Sequence, residues 1–243
     1  MTNVVIPMAG GGSRFSDAGY ELPKPLIDVT GLPMVQKAVW SMGIGARYVY
    51  VVQAEHNKKY NLTELLPAMT PSLEVIVLEV DEITEGAAAT VLVAKDYIDN
   101  DDLLVICNAD QIVEWVPNDF LKDAGENRNL DGSIATFTAE GDQWSYAKTD
   151  ESGHVVEVAE KNPISDQATV GIYYWRYGSD FVKYAEQMIK KDIRVNGEFY
   201  VTPVYNEAIL DGKSVGVYPV DKMIPLGTPE DLKLYLDSLT DSL

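Results

Sequence analysis

Glycine and basic residues near the start of the sequence form a candidate phosphate-binding loop. An apolar run from Val4 to Pro7 predicts a buried strand that ends where the glycines begin. Glycine permits positive φ and lets backbone N–H groups approach a ligand closely, and arginine and lysine supply cationic donors, so the set suits a polyphosphate. The chain has a net charge of −19, so positive charge gathered in one loop marks a site. The candidate residues are Ala9, Gly10, Gly11, Gly12, Ser13, Arg14 and Lys24.

Two widespread phosphate-binding fingerprints do not fit this loop. The dinucleotide pattern G-x-G-x-x-G, started at Gly10, would need a glycine where the chain has Phe15. The P-loop pattern needs a Gly-Lys-Ser/Thr sequence, which the loop lacks. We therefore expect a phosphate site of another kind.

A carboxylate follows a second predicted buried strand. The apolar run Leu103 to Cys107 leads into Asn108 and Asp110, and an aspartate at the end of a strand can bind Mg²⁺ together with substrate phosphates. Cys107 lies inside the apolar run, which favours a buried structural thiol over a nucleophile. The two histidines, at positions 56 and 154, have no spacing typical of a catalytic triad or a zinc site.

Apolar strands alternate with helical stretches through the first half, which predicts a parallel sheet flanked by helices. The second half contains short strands, typical of a mixed or antiparallel portion. We expect one α/β domain over residues 1–243. The predicted strands are Val4–Pro7, Tyr48–Val52, Leu73–Val80, Leu103–Cys107, Ser133–Ala139, Ser145–Thr149, Val155–Ala159, Thr169–Trp175 and Val215–Val220. The predicted helices are Pro33–Met42, Asn61–Met69, Gly86–Tyr97, Phe181–Lys190, Phe199–Leu210 and Pro229–Leu239.

Composition excludes several classes of protein. Hydrophobic residues make up 46% and charged residues 23%, which is ordinary for a globular protein, and no apolar run reaches the roughly 20 residues of a membrane span. A strand begins almost at once, without room for a signal peptide, so we expect a cytoplasmic protein. The excess of 38 acidic over 19 basic residues disfavours binding to nucleic acid or to an anionic membrane.

The strings GGGSRF and LPKPLIDVTGLPM together resemble the signature of the nucleotidyltransferases that activate sugar phosphates and related phosphate esters. The resemblance implies a Rossmann-like three-layer α/β fold with a mixed, mostly parallel central sheet. It implies that Arg14 and Lys24 hold a nucleoside triphosphate while pyrophosphate leaves. It also implies that Asp110 binds Mg²⁺, and it places Asn108 among the nucleotide-binding residues.

Further motifs follow in the order of that family. Glu85, Gly86 and Ala87 resemble its base-recognition loop. The sequence EKNP resembles its E-K-P segment, in which the glutamate (here Glu160) belongs to the acceptor site and the lysine (here Lys161) meets the acceptor phosphate. Residues 1–130 would then bind the nucleotide and residues 131–243 the acceptor.

Two more acceptor candidates come from the resemblance. Gly171 lies in a sequence similar to the family's V-G-I-Y strand, where it allows a close approach. Glu198 lies where the family has an acidic acceptor-binding segment, and it could also assist the metal. Many members have an aspartate two residues before a late Gly-Thr as second metal ligand, but this chain has Pro225 there. Either Glu198 or Asp221 replaces it, or Asp110 and the triphosphate hold Mg²⁺ with waters.

The expected reaction joins a nucleoside triphosphate (CTP, UTP or dTTP) to a phosphorylated small molecule. One hypothesis is a sugar 1-phosphate used for surface polysaccharide. The phenylalanine after the arginine and the missing late aspartate make the sequence most similar to capsule-cluster enzymes and to CTP:phosphoglutamine cytidylyltransferases, which gives a second, CTP-dependent hypothesis with phosphoglutamine or a phospho-amino alcohol as acceptor. A nucleotide-binding regulatory module without catalysis is the alternative of another class, and assembly into a homo-oligomer stays open.

Overall fold

A mixed sheet with helices on both faces is the framework of the protein. The computed structural model describes residues 1–72 and 74–240. The strands are β1 (Thr2–Pro7), β2 (Asp28–Val29), β3 (Leu32–Pro33), β4 (Arg47–Gln53), β5 (Val75–Val80), β6 (Leu103–Cys107), β7 (Gln111–Glu114), β8 (Gly132–Thr138), β9 (Ser145–Thr149), β10 (Val155–Glu160), β11 (Gln167–Trp175), β12 (Val215–Pro219) and β13 (Lys222–Pro225). The helices are α1 (Ser13–Asp17), α2 (Met34–Met42), α3 (Ala54–Tyr60), α4 (Leu62–Met69), α5 (Ala87–Leu92), α6 (Lys95–Ile98), α7 (Pro117–Lys122), α8 (Gly178–Lys190), α9 (Val204–Leu210) and α10 (Pro229–Thr240).

The main sheet has the strand order β10-β9-β11-β6-β1-β4-β5, and β8 and β12 extend it from β11. Strands β6, β1, β4 and β5 are parallel, with Val4 opposite both Tyr48 and Val105. Strand β11 runs antiparallel to β6 and to β8 and joins the second half of the chain to the first. The predicted mixed, mostly parallel sheet is confirmed.

Alternate residues of the central strands pack into two apolar cores, one on each face of the sheet. In β1, Val5 packs with helices α5, α6, α8 and α9. Val4 and Ile6 point to the other face and pack with helices α2, α4 and α7. All three side chains are fully buried, because helices cover both faces. The predicted three-layer arrangement is therefore confirmed.

The structure corrects several predicted elements. The helix predicted over Gly86–Tyr97 is two short helices, α5 and α6. The helix predicted over Phe199–Leu210 begins only at Val204, because the backbone of Phe199 pairs with another loop. The polar segment after β4 is helical, as α3. Strands β7 and β13 pair across more than a hundred residues, and the sequence did not predict them. Within the predicted strand Leu73–Val80, β5 covers Val75–Val80, and Leu73 lies outside the described residues.

A capping box begins the last helix. The Thr228 amide donates to Asp231 Oδ2 at 3.0 Å, and the Asp231 amide donates to Thr228 Oγ1 at 3.1 Å. This agrees with the prediction of a helix that starts after Thr228. Across residues 1–72 and 74–240, no helix is both long enough and apolar enough to cross a bilayer.

Candidate active site

The loops that follow β1, β5 and β6 meet at one edge of the sheet and border a cavity of about 480 Å³. These are the carboxyl ends of parallel strands, where ligands bind in open α/β sheets. The opposite wall comes from the second half of the sequence and includes Lys161, Asn196, Glu198 and Tyr200. The cavity therefore lies between the two halves of the chain.

Hydrogen bonds hold the glycine loop against the neighbouring strand. The Gln53 side chain at the end of β4 donates to the carbonyl oxygens of Ala9 and Gly10, each at 3.1 Å. The Met8 amide donates to the Val51 carbonyl oxygen at 3.0 Å. Because Ala9 is buried in these contacts, it supports the loop from behind, and it does not line the cavity.

Gly12 allows the loop to turn sharply toward the second cationic residue. Its φ is 60°, and a Cβ there would lie 3.3 Å from Lys24 Cβ. Helix α1 begins directly afterwards and places Arg14 on the cavity wall. The Arg14 guanidinium is exposed and, within the described part of the chain, has no carboxylate partner. It is therefore free to bind an anionic ligand.

Lys24 and Asp110 form an ion pair on the floor of the cavity. Lys24 Nζ lies 2.5 Å from Asp110 Oδ2, and the side chains are 21% and 28% exposed. A single 3-10 turn after Pro23 positions the lysine. The aspartate follows β6, and its carbonyl oxygen accepts a hydrogen bond from the Leu226 amide at 2.8 Å. The pair joins residues that are 86 positions apart in the sequence.

The donor set fits a Mg²⁺ ion that is shared with a triphosphate. Lys24 occupies one oxygen of Asp110, and the carboxylates of Asp110 and Glu198 both line the cavity. In the described residues, no group of three acidic, histidine or cysteine side chains forms a closed metal cage. Mg²⁺ usually binds through one or two carboxylates, substrate phosphates and waters, so this open arrangement is suitable.

Pro225 is the last residue of β13, at the position where the resemblance implies a second acid. It pairs with Gln111 in the β7–β13 ladder, next to Asp110. Of the two replacements that the sequence suggested, Glu198 lines the cavity, whereas Asp221 does not. Gly227, which was not selected from the sequence, also lines the cavity, and a Cβ there would make an ordinary van der Waals contact of 3.5 Å with Asp110 Oδ2.

The base loop, Glu85–Ala87, is fixed to the acceptor half by its backbone. The Phe199 amide donates to the Glu85 carbonyl oxygen at 2.8 Å, and the Ala88 amide donates to the Phe199 carbonyl oxygen at 2.9 Å. Gly86 has a φ of 130°, and a Cβ there would lie 2.5 Å from both the nitrogen and the oxygen of Phe199. Only glycine fits this contact. Gly86 and Ala87 line the cavity, whereas the Glu85 side chain is 66% exposed outside it.

Lys161 lies at one end of the cavity, called the acceptor end after the role that the resemblance implies. It has a φ of 54°, a left-handed conformation that is uncommon outside glycine and often found at functional sites. Its Nζ donates to the Tyr200 hydroxyl at 2.8 Å and lies 4.9 Å from the ring centroid. The Glu198 carboxylate lines the same end, and among the described residues it has no cationic partner.

Glu160 lies behind this wall and does not line the cavity. Ser145 Oγ donates to its Oε2, and burial is the largest cause that raises the pKa of the carboxyl; the nearby charge of Glu198 raises it further. The adjacent Tyr173 hydroxyl has a pKa raised to about 12, mainly by burial, and contacts Thr202 Oγ1 at 2.9 Å. Glu160 therefore belongs to a partly buried polar network behind the acceptor end.

Gly171 supports Asn108 from behind. It has a φ of 79°, and a Cβ there would lie 2.5 Å from Asn108 Nδ2. The backbone N–H of Asn108 donates to the Gly171 carbonyl oxygen at 2.9 Å. Asn108 lines the cavity and Gly171 does not, so the glycine shapes the site through its neighbour.

Most of the residues chosen from the sequence meet in this cavity. Those that line it are Gly10, Gly11, Gly12, Ser13, Arg14, Lys24, Gly86, Ala87, Asn108, Asp110, Lys161 and Glu198. Those that lie behind or beside it are Ala9, Glu85, Glu160 and Gly171. The lining residues that the sequence analysis did not assign to the site include Ile83, Thr84, Thr90, Asn196, Tyr200 and Gly227. One usable signal was the pair Asn196-Gly197, typical of a tight hairpin turn.

Comparison with known proteins identifies the family. The family model described as "Nucleotidyl transferase" matches residues 3–217, and the chain belongs to this family. It is 26% identical over 249 residues to the bifunctional protein GlmU of Methanocaldococcus jannaschii, covering 99% of this chain and 56% of that protein. It is 25% identical over 232 residues to the low-salt glycan biosynthesis nucleotidyltransferase Agl11 of Haloferax volcanii, covering 94% of this chain and 63% of that protein.

A solved structure shows the same fold over nearly the whole chain. The nucleoside-diphosphate-sugar pyrophosphorylase from Vibrio cholerae RC9 superposes with a TM-score of 0.84 at 26% identity, covering 96% of this chain and 99% of that one. Against the two curated relatives, by contrast, this chain spans only 56% and 63% of their length.

Proposed function

We propose that this protein is a Mg²⁺-dependent nucleotidyltransferase that joins a nucleoside triphosphate to the phosphate of a small acceptor. The observation that carries the proposal is the cavity itself. It brings Arg14, Lys24, Lys161 and Asp110 together in a protein whose net charge is otherwise strongly negative. Three cations, which share the cavity with the carboxylates of Asp110 and Glu198, suit two phosphorylated substrates that would repel each other in the absence of neutralising charge.

In the proposed reaction an oxygen of the acceptor phosphate attacks the α-phosphorus of the triphosphate. The new P–O bond forms as the bond from the α-phosphorus to the bridging oxygen breaks, and the electron pair leaves with pyrophosphate. An acceptor phosphate is already anionic, so no side chain has to remove a proton. The chemistry needs alignment and charge neutralisation, and the thiol of Cys107, whose pKa burial raises, takes no part.

Each cation has one task in this scheme. Arg14, exposed and unpaired among the described residues, binds the β- and γ-phosphates, while the amides of the glycine loop approach the same group. Lys24 lies beside Asp110 and neutralises charge at the transferring phosphate. Lys161 binds the acceptor phosphate. Asp110 would hold Mg²⁺, which supplies further neutralisation of the phosphate oxygens, and Glu198 is the second carboxylate that lines the cavity.

Two acceptor classes are candidates. A sugar 1-phosphate, used for surface polysaccharide, is the broader one. The narrower is a CTP-dependent reaction with phosphoglutamine or a phospho-amino alcohol, and one observation favours it. The acceptor end combines Lys161 with a carboxylate, Glu198, that has no cationic partner in the described chain, and with the aromatic ring of Tyr200. A ligand with one phosphate and one amino group would complement both charges.

Pyrophosphate release tests the proposal. Purified protein is incubated with Mg²⁺, each of CTP, UTP, dTTP and ATP, and a panel containing hexose 1-phosphates, phosphoethanolamine and phosphoglutamine. We expect release that requires both a nucleotide and an acceptor, and that is lost when EDTA replaces Mg²⁺. Tight nucleotide binding without release for any acceptor would instead support a regulatory module, a reading that Pro225 beside Asp110 favours.

A further inference from the structure

The hairpin segment, residues 192–200, connects the acceptor end of the cavity to the base loop. Its tight turn is closed by paired backbone hydrogen bonds between Val195 and Glu198, each 3.0 Å long. Asn196 and Gly197 occupy the turn with φ values of 50° and 83°. The segment carries Asn196, Glu198 and Tyr200, all of which line the cavity.

Arg194 fastens this segment to the nucleotide half of the chain. Its Nη2 donates to Glu85 Oε1 at 2.9 Å, its Nη1 donates to the Gly197 carbonyl oxygen at 3.1 Å, and its Nε donates to Asp192 Oδ1 at 2.5 Å. Its guanidinium carbon lies 3.9 Å from the centroid of the Phe199 ring. A planar group with several donors is required for all these contacts at once, and lysine could not make them together.

These contacts join two parts of the cavity that serve different substrates. The backbone of Phe199 is already hydrogen-bonded to Glu85 and Ala88, and Gly86 packs against it without space for a side chain. Arg194 adds the only side-chain ion pair that the described residues show between the base loop and the hairpin segment. A displacement of the base loop must therefore displace Glu198 and Tyr200.

We propose that Arg194 is a positioning residue that couples nucleotide binding to formation of the acceptor subsite. The inference rests on the proposed function, because it takes the cavity as the site of both substrates. A nucleotide that binds against the base loop orders that loop. Because Arg194 contacts both Glu85 and Gly197, it then also orders the hairpin segment. The acceptor then binds to a subsite that is already ordered, so its binding costs less conformational entropy. By linkage, the acceptor strengthens nucleotide binding by the same factor.

Steady-state kinetics separate coupling from a general structural role. We expect Arg194→Ala to raise the KM of the acceptor roughly 5-fold, the lower end of typical coupling between sites, because the ion pair is partly exposed. Glu85→Gln should give a smaller rise in the same direction, and Arg194→Lys should restore part of the loss. Lys95→Ala is the matched control, because Lys95 Nζ lies 2.6 Å from Glu186 and also joins the two halves of the sequence, away from the cavity.

Hydrogen exchange measures the coupling without turnover. Wild type, Arg194→Ala and Lys95→Ala are each exchanged with and without Mg²⁺ and CTP, UTP, dTTP or ATP, and peptides covering residues 84–90 and 192–200 are followed. In the wild type and the control, the best-binding nucleotide should slow exchange in both peptides. In Arg194→Ala, it should still slow exchange in residues 84–90, but residues 192–200 should be protected less than in the wild type, because only the backbone contacts of Phe199 then join the two segments.

The outcomes distinguish the two proposals. Protection of residues 84–90 that does not extend to residues 192–200 in the wild type would refute the coupling and leave the proposed function standing. If the nucleotide protects residues 192–200 of Arg194→Ala as strongly as those of the wild type, the role of Arg194 is refuted. If no nucleotide protects residues 84–90, the proposed function fails, and the coupling fails with it.

Discussion

Replacement of Lys24 by methionine removes the cation that lies closest to Asp110 and keeps the length of the side chain. If Lys24 neutralises charge that develops at the reacting phosphates, its loss should cost about 3 to 4 kcal/mol of transition-state stabilisation, the value typical of such groups. One factor of ten in rate corresponds to about 1.4 kcal/mol, so kcat should fall roughly 100- to 1,000-fold. The KM for nucleotide should change much less.

The effect of the same change on stability should be small. The ion pair is partly exposed, at 21% and 28%, and such pairs contribute up to about 1 kcal/mol. For a chain of this size that corresponds to a fall in Tm of roughly 2 to 4 °C. Initial rates of pyrophosphate release give kcat, thermal denaturation gives Tm, and Lys95→Ala is the control for loss of an ion pair away from the cavity. A kcat within threefold of wild type would refute the assignment of Lys24, and so would a loss of activity explained by unfolding.

Three further predictions concern residues in and behind the walls of the cavity. Tyr200→Phe removes the hydroxyl that accepts a hydrogen bond from Lys161 Nζ at 2.8 Å. The KM of the acceptor should therefore change several-fold, while the affinity for the nucleotide stays constant. Equal changes in the acceptor KM and in the nucleotide affinity would contradict this prediction. Gly171→Ala places a Cβ 2.5 Å from the Asn108 side chain, at a residue with positive φ. The substitution should lower the free energy of unfolding by about 1 to 3 kcal/mol and weaken nucleotide binding. An unchanged Tm would refute the contact. Burial raises the pKa of Glu160, so the folded state favours the protonated carboxyl. The wild type should therefore lose stability relative to Glu160→Gln as the pH rises from about 4 through the raised pKa. A difference in Tm between the two proteins that stays constant from pH 4 to pH 8 would contradict this prediction.

The parts of the site that could be predicted are those encoded in short, contiguous strings. Residue type and position alone indicate phosphate chemistry at Gly10 to Gly12 and Arg14. They likewise indicate metal chemistry at Asp110, the aspartate after β6. The parallel strands of the first half are continuous apolar runs, which burial on both faces requires. These features depend on local sequence, and the structure agrees with the predicted layers and with a shared cavity.

The parts that the sequence concealed depend on contacts between distant segments. Nothing near Arg194 indicates that its partner is Glu85, which lies 109 positions away. The predicted helix from Phe199 fails because the backbone hydrogen bonds of that residue go to the base loop, and tertiary pairing of this kind overrides helix propensity. Glu160 and Lys161 are neighbours in sequence, yet the first lies partly buried behind the wall and the second lines the cavity.

The most direct test of the account is a crystal structure of the protein with Mg²⁺ and the nucleoside triphosphate that binds best. The account predicts the base against Gly86, the β- and γ-phosphates between the glycine loop and Arg14, and the α-phosphate within reach of Lys24, with the metal on Asp110. A nucleotide bound elsewhere, or one whose phosphates contact none of Arg14, Lys24 and Asp110, would contradict the central claim that this cavity brings two phosphorylated substrates together.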